Sequence, residues 1–300
     1  MAEAIINKME NPVGSLRRVI LALVALLGLF ALPLYKWASF SLHDELYGHA
    51  VLVPLISLYL IWTNRENVPL RGEPAPALGA ALFGVGGLFL AMYWARSAGG
   101  ALGREEAVTW TMLAFFSCLA GVLAGVLGKK FLRGNLFALG FLLCAVPLPI
   151  FVRAWIEGRL QYGSAAMAYA MFRTCGTLAE WKNLDIDLST ITLTIAPECS
   201  GIHSSLVLLV TALLAGHLFL RSPVHRLVLA LVIIPLAVVR NGFRIFTIGE
   251  LCVHIGPHMI DHWIHHRGGP VFFSLALVPF LLLLYVLVRR ERRRQPLEKE

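Results

Sequence analysis

The sequence predicts an all-α integral membrane protein with about eight transmembrane helices, and three observations carry that expectation. Hydrophobic residues make up 58% of the 300 residues and charged residues only 15%, against about 25% charged in a globular chain. A single soluble core stops growing near this length, so that much apolar surface belongs in a bilayer. The apolar residues also gather into stretches close to the roughly 20 that a spanning helix needs. The net charge of +8 reads as the Lys/Arg excess of membrane-protein loops rather than as a nucleic-acid footprint.

The stretches run at 18–36, 46–63, 76–95, 107–128, 134–152, 202–220, 225–252 and 270–288. Turn residues or charges separate them: His43-Asp44-Glu45, Arg65 to Pro76, Arg96 to Glu106, Lys129-Lys130 and Ser222-Pro223. The second stretch is short and carries Pro54, which fits a kinked or re-entrant segment. After Arg17-Arg18 the apolar run continues to Leu34 with no small-residue cleavage site, so no cleavable signal peptide is expected. The whole chain, 1–300, reads as one polytopic membrane domain. The five cysteines are odd in number and lack paired spacing, which indicates neither a disulfide framework nor a zinc ribbon.

With the N-terminus inside, sixteen of the 26 Lys and Arg fall on the cytoplasmic side and eight opposite, while Arg240 and Arg244 lie within a span. Residues 289–300 form a basic cytoplasmic tail. Residues 153–196 do not read as a span and form an extracytoplasmic element. From Leu160 to Leu178 the pattern is that of an amphipathic helix able to lie on the membrane surface. From Leu184 to Ile195 it alternates with period two and is rich in β-branched residues, so a short strand or β-hairpin is expected. A structured outer loop leading into a helix suits the reception of an extended peptide by strand pairing.

That loop ends in Ala196-Pro197-Glu198-Cys199-Ser200-Gly201-Ile202, where the sixth span begins. Pro197 and Ser200 are residue types of a helix start. A thiol there feels the positive end of the helix dipole, which favours the thiolate. Two readings of Cys199 stand: a reactive thiol, or an ordinary buried cysteine such as Cys118, Cys144 and Cys252 in mid-helix. Arg240 and Arg244 interrupt the seventh span in Val-Val-Arg-Asn-Gly-Phe-Arg-Ile, four residues apart and on one helical face. Cations at depth face a partner or a wet cavity, and Asn241-Gly242 suggests a local break in the helix. His254, His258, His262, His265 and His266 follow, with Asp261. Their spacing of four is that of metal ligands on a helix. However, Gly256-Pro257 breaks the run and no His-Glu-x-x-His motif occurs, so no metal and no cofactor is assigned. A single histidine acting as base is the simpler reading. Level in the membrane, Cys199, Arg244 and His265 or His266 would form a nucleophile, an anion stabiliser and a base.

At these residues the chain resembles the exosortase/archaeosortase family of membrane transpeptidases. Pro197-Glu-Cys-Ser-Gly-Ile202 resembles its cysteine motif and Asn241-Gly-Phe-Arg-Ile245 its arginine motif. His265-His-Arg-Gly-Gly-Pro-Val-Phe-Phe273 resembles its histidine-then-glycine motif, and Tyr47-Gly-His-Ala-Val-Leu-Val-Pro54 an early segment of the family. The resemblance covers roughly residues 40–288, in order. It implies that Cys199 is the nucleophile, Arg244 the stabilising cation and His265 the base, with His266 as an alternate. His203 stands where bacterial members usually carry arginine, one turn after Cys199, and is a second alternate. Arg240, Asn241, Ser200 and Gly201 are the residues expected to hold substrate. The implied partners are membrane lipid and exported proteins with a C-terminal sorting signal (a short motif such as Pro-Glu-Pro, a transmembrane helix and a basic cluster), cleaved through a thioester and then transferred or released. The implied location is the inner membrane, with both termini cytoplasmic and the active site facing outward. The rival reading is a transporter or polysaccharide-export component that binds an anionic substrate through the intramembrane arginines.

Overall fold

The computed structural model describes residues 12–68, 73–100, 102–261 and 268–294. It is mostly helical and divides into two compact units, 1–150 and 151–300. Five of its helices are long and apolar enough to cross a membrane, or up to seven spans if each of two bent helix pairs counts as one. Many large apolar side chains face outward, among them Leu21, Leu58, Leu88, Leu275 and Leu282. An aqueous surface would not tolerate such a continuous apolar exterior. The lipid-facing sides of membrane helices require it.

The first unit begins with α1 (Pro12–Leu29) and α2 (Ala31–His43), where the sequence suggests one span over 18–36. The pair bends by 67° at Phe30. Pro33, in the first turn of α2, has no N–H to return to the preceding turn, so the helical ladder is interrupted there. The second predicted segment, with its Pro54, is the shorter apolar helix of Gly48–Thr63, whose α-helical part is α3 (Leu52–Thr63). The third and fourth are α4 (Pro76–Ala98) and α5 (Arg104–Gly134). They approach closely: a Cβ on Gly79 would stand 3.0 Å from the carbonyl oxygen of Gly121, the small-residue contact that lets membrane helices pack. α5 kinks at Gly128, where φ is +85°. α6 (Leu136–Phe141) is short and passes into a 3-10 turn at Leu142–Ala145. Trp37 donates from its indole N–H to the Ala145 carbonyl at 2.8 Å. Tyr47, which is buried, donates to Glu105 at 2.8 Å and accepts from the Leu148 N–H at 3.2 Å.

The second unit is built on α7 (Ile150–Cys175), which differs from the sequence reading in where it starts. It begins at Ile150, inside the segment read as a span over 134–152, and stops at Cys175. Its middle is buried: Ala165, Ala168 and Phe172 are fully enclosed. Arg153 and Glu157, two of the charges that keep this stretch from reading as a span, pair with each other at 3.7 Å. The guanidinium of Arg159 lies 5.7 Å from the Trp155 ring centre. Beyond α7 come three antiparallel strands in the order β1-β2-β3: β1 (Ala179–Lys182), β2 (Asp185–Leu188) and β3 (Thr192–Thr194). The expected hairpin is β2–β3. β1 is an addition to it, joined through Asn183 at φ +55°. Ile186, Leu188, Leu193 and Ile195 turn inward onto Phe172 and Ile245, the alternation that the sequence displays. We expect Phe172→Ala to destabilise this sheet-on-helix core by about 3–5 kcal/mol, seen as loss of amide protection in β2 and β3 with the first unit unaffected.

α8 (Ile202–Phe219) is followed by α9 (Pro223–Leu231) and α10 (Ile233–His254), which together form one apolar span of 32 residues. α11 (Gly269–Arg294) closes the unit. Leu208, Leu220, Leu229, Ile233 and Phe280 form the shared core of these helices. Near its end, Glu291 accepts from the N–H groups of Arg221 and Ser222 at 2.8 and 3.0 Å, and lies 2.7 Å from Nδ1 of His225. A carboxylate thus caps the start of α9, where orphan amides and the helix dipole both favour negative charge.

Candidate functional site

β3 runs into Ala196 in extended conformation and then a 3-10 turn, Pro197–Ser200, which carries Cys199 in its backbone. Gly201 follows at φ +75°, ψ 14°, and α8 starts at Ile202. The left-handed backbone reverses the chain between strand and helix, a conformation that glycine adopts without steric cost. Space imposes the same choice. A Cβ on Gly201 would lie 2.7 Å from Nη2 of Arg240 and 3.2 Å from Cγ and Oδ1 of Asn241.

The Gly201 carbonyl is the junction of the site. It accepts from Nη2 of Arg240 at 3.1 Å and from the hydroxyls of Ser205 and Ser204 at 2.7 and 3.2 Å. Arg240 is buried, and an enclosed cation requires such partners to offset the loss of water. Beside it, Asn241 is 2% exposed and donates to the Ser164 hydroxyl on α7 at 3.0 Å. One turn earlier on α7, Gln161 donates to the Ile195 carbonyl at 2.8 Å. The Cys199 turn is therefore held on both flanks, at Ile195 by Gln161 and at Gly201 by Arg240.

α10 is continuous through this region, so the break suggested by Asn241-Gly242 does not occur. Gly242 serves a different need. A Cβ there would stand 2.7 Å from Cβ of Met167 and 3.2 Å from the Ala168 amide nitrogen. The glycine lets α7 and α10 come together, which is what brings Ser164 to Asn241.

Arg244, one turn beyond Arg240, lines a cavity of about 160 Å³ with Asn241, Ile245, Ile248, Ile260 and the strand residues Leu193–Ala196. Of the predicted site residues, the structure thus brings together Ser200, Gly201, Arg240 and Asn241, with Arg244 on the adjoining cavity. His203 is exposed and is not among the residues that line the cavity. His265 and His266 lie outside the described residues. Among the described residues no group of three or more His, Cys, Asp or Glu is arranged to hold a metal ion. His254 instead pairs with Glu250 at 3.0 Å, and Glu250 also accepts from the Thr177 hydroxyl at 2.5 Å.

Gln161 and Ser164 are site residues that sequence reasoning misses. They lie three apart, on one helical face, and a surface-helix reading of this stretch sends them to solvent. The neighbouring Gly158, Gly163, Ala165 and Ala168 were the available signal of close packing. Gln161→Leu leaves the buried Ile195 carbonyl without its side-chain donor, at a cost of about 1–3 kcal/mol. The expected result is a lower melting temperature in detergent, with smaller losses for Gln161→Glu at low pH, where the protonated acid can donate.

The fold and site together are those of a multi-pass membrane protein with a buried polar seam at the junction of a small sheet and its helices. The family model described as transmembrane exosortase matches residues 37–282, and the chain belongs to that family. At the level of the family this means a membrane cysteine protease/transpeptidase that processes the sorting signals of exported proteins. A comparison with curated proteins and a comparison with solved structures each found no match.

Proposed function

We propose that this chain cleaves the C-terminal sorting signal of exported proteins with Cys199 as nucleophile, through a thioester that is then transferred or hydrolysed. The observation that carries the reading is the double anchoring of the Pro197–Ser200 turn beside a cavity that holds Arg244. A nucleophile works best on a backbone that does not move when the reacting carbon arrives. In the proposed reaction the Cys199 thiolate attacks the scissile carbonyl, and the negative charge developing on its oxygen is stabilised by the Arg244 guanidinium. The carbon–nitrogen bond then breaks, His265 gives a proton to the leaving amine, and a thioester joins the substrate to Cys199. An acceptor amine or water attacks that thioester and restores the thiol. His266 and His203 are the alternates for the base. Ser200, Gly201, Arg240 and Asn241 shape the turn that meets the substrate.

The recognised tail in this reading is a short motif of the Pro-Glu-Pro kind followed by a transmembrane helix and a basic cluster, presented on the outer face of the inner membrane. The Lys/Arg balance supports that orientation, with both ends of the chain cytoplasmic. The deciding experiment co-expresses wild type or Cys199→Ala with a tagged exported protein bearing such a tail and follows its size on a gel. Processing by wild type alone supports the reading; equal processing by both sinks it.

A further inference from the structure

We propose that the outer edge of β3 is a docking strand for an extended peptide, paired through the main chain of Thr192 and Thr194 and delivered along it to the Cys199 turn. The proposal rests on the reading of that turn as the reactive one. In the β2–β3 ladder, the Ile195 N–H donates to the Leu184 carbonyl and the Leu188 N–H to the Ile191 carbonyl, both at 2.9 Å. Thr194 stands opposite Asp185 and Thr192 opposite Asp187. The alternation of an antiparallel ladder therefore turns the N–H and C=O of both threonines away from β2. β1 occupies the other side of β2, which leaves β3 at the edge of the sheet. Among the described residues neither threonine N–H meets a main-chain partner beyond the sheet, while the Thr194 carbonyl accepts from the Ala196 N–H at 3.1 Å.

Exposed edges are usually guarded by lysine, proline or a covering element. This one carries none of those side chains. The Thr192 and Thr194 hydroxyls are drawn across the sheet to Asp187 and Asp185 at 2.6 and 2.7 Å, so neither shields its own backbone. The cavity lies along the same strand, between Leu193–Ala196 and the α10 residues Arg244, Ile245 and Ile248. Three residues beyond Thr194 the chain enters the turn that bears Cys199. Two outward N–H groups at two-residue spacing, with the Thr192 C=O between them, suit an extended chain, whose own groups are unpaired. A helix has already used its backbone groups internally and could not pair.

The test uses full-length Cys199→Ala in detergent micelles and a short fluorescent peptide containing Pro-Glu-Pro, read by polarisation. Proline has no N–H, so both prolines must face away from β3, and the glutamate amide then faces it. N-methylation of the glutamate, or of the residue after the second proline, is expected to weaken binding about tenfold. N-methylation one residue further on leaves it unchanged. Thr194→Pro, which removes an outward N–H without taking a ladder bond, weakens the unmethylated peptide likewise. Methylation effects that do not alternate, full binding to Thr194→Pro, or no binding of the parent peptide would each overturn the proposal. Alternating binding combined with tail processing that survives Cys199→Ala would leave the docking edge standing and remove the cysteine mechanism.

Discussion

Cys199→Ala should reduce tail processing by at least about 10³-fold, below detection on a gel, with the protein still folded and in the membrane. Loss of a nucleophile removes the bond-forming group outright. Arg244 is the informative companion. Arg244→Ala should cost about 10²–10³-fold if its guanidinium stabilises developing charge. Arg244→Lys should recover only part of this, since an ammonium keeps the charge but not the planar fork. The outcome that reverses the reading is equally plain. A silent Cys199→Ala with severe losses at Arg240 and Arg244 describes an anion-handling transporter, in which the arginines bind substrate and the cysteine is structural.

The second large effect is expected at Gly201, which supplies no reacting atom in the proposed reaction. Gly201→Ala places a Cβ at φ +75°, at about 1–2 kcal/mol of backbone strain. It also pushes on Arg240 and Asn241. The guanidinium can swing aside, but Asn241 is held by Ser164, so the turn itself must shift. A displacement of about 1 Å at a reacting group can cost about 10²-fold in rate. The expected signature is a processing rate reduced by about that factor with a melting temperature lowered by only a few degrees. Adding Arg240→Ala removes one of the two steric conflicts but also the Gly201 anchor, so the double variant should not regain activity. A Gly201→Ala enzyme of unchanged rate would show that the turn tolerates movement.

The long helices were legible because length and apolarity suffice for them: 76–95, 107–128, 202–220, 225–252 and 270–288 each fall on a helix long enough to span. Elements defined by contact rather than composition were not. The break at Phe30 depends on one proline within an otherwise unbroken apolar run. α7 starts ten residues before the amphipathic helix read from Leu160, because Arg153, Glu157 and Arg159 count as polar in a sequence, whereas in the fold they are answered by one another and by Trp155. At the site, the arginine pair stood out because charge is costly in a span. Gln161 and Ser164 did not, since a glutamine and a serine on a helix are unremarkable until the helix is known to be buried. Gly242 misled for the opposite reason: glycine signals both a break and a close approach, and only the neighbouring Met167 decides between them.

The capping of α9 by Glu291 has a consequence for the order in which the second unit is made. The amides of Arg221 and Ser222 leave the ribosome 70 and 69 residues before the carboxylate that satisfies them. Until α11 has been synthesised and inserted, the connection between α8 and α9 is a hairpin with an open end. Arrival of Glu291 latches it. The last helix thus acts as a closing strap for the junction of α8 and α9, two elements made before it.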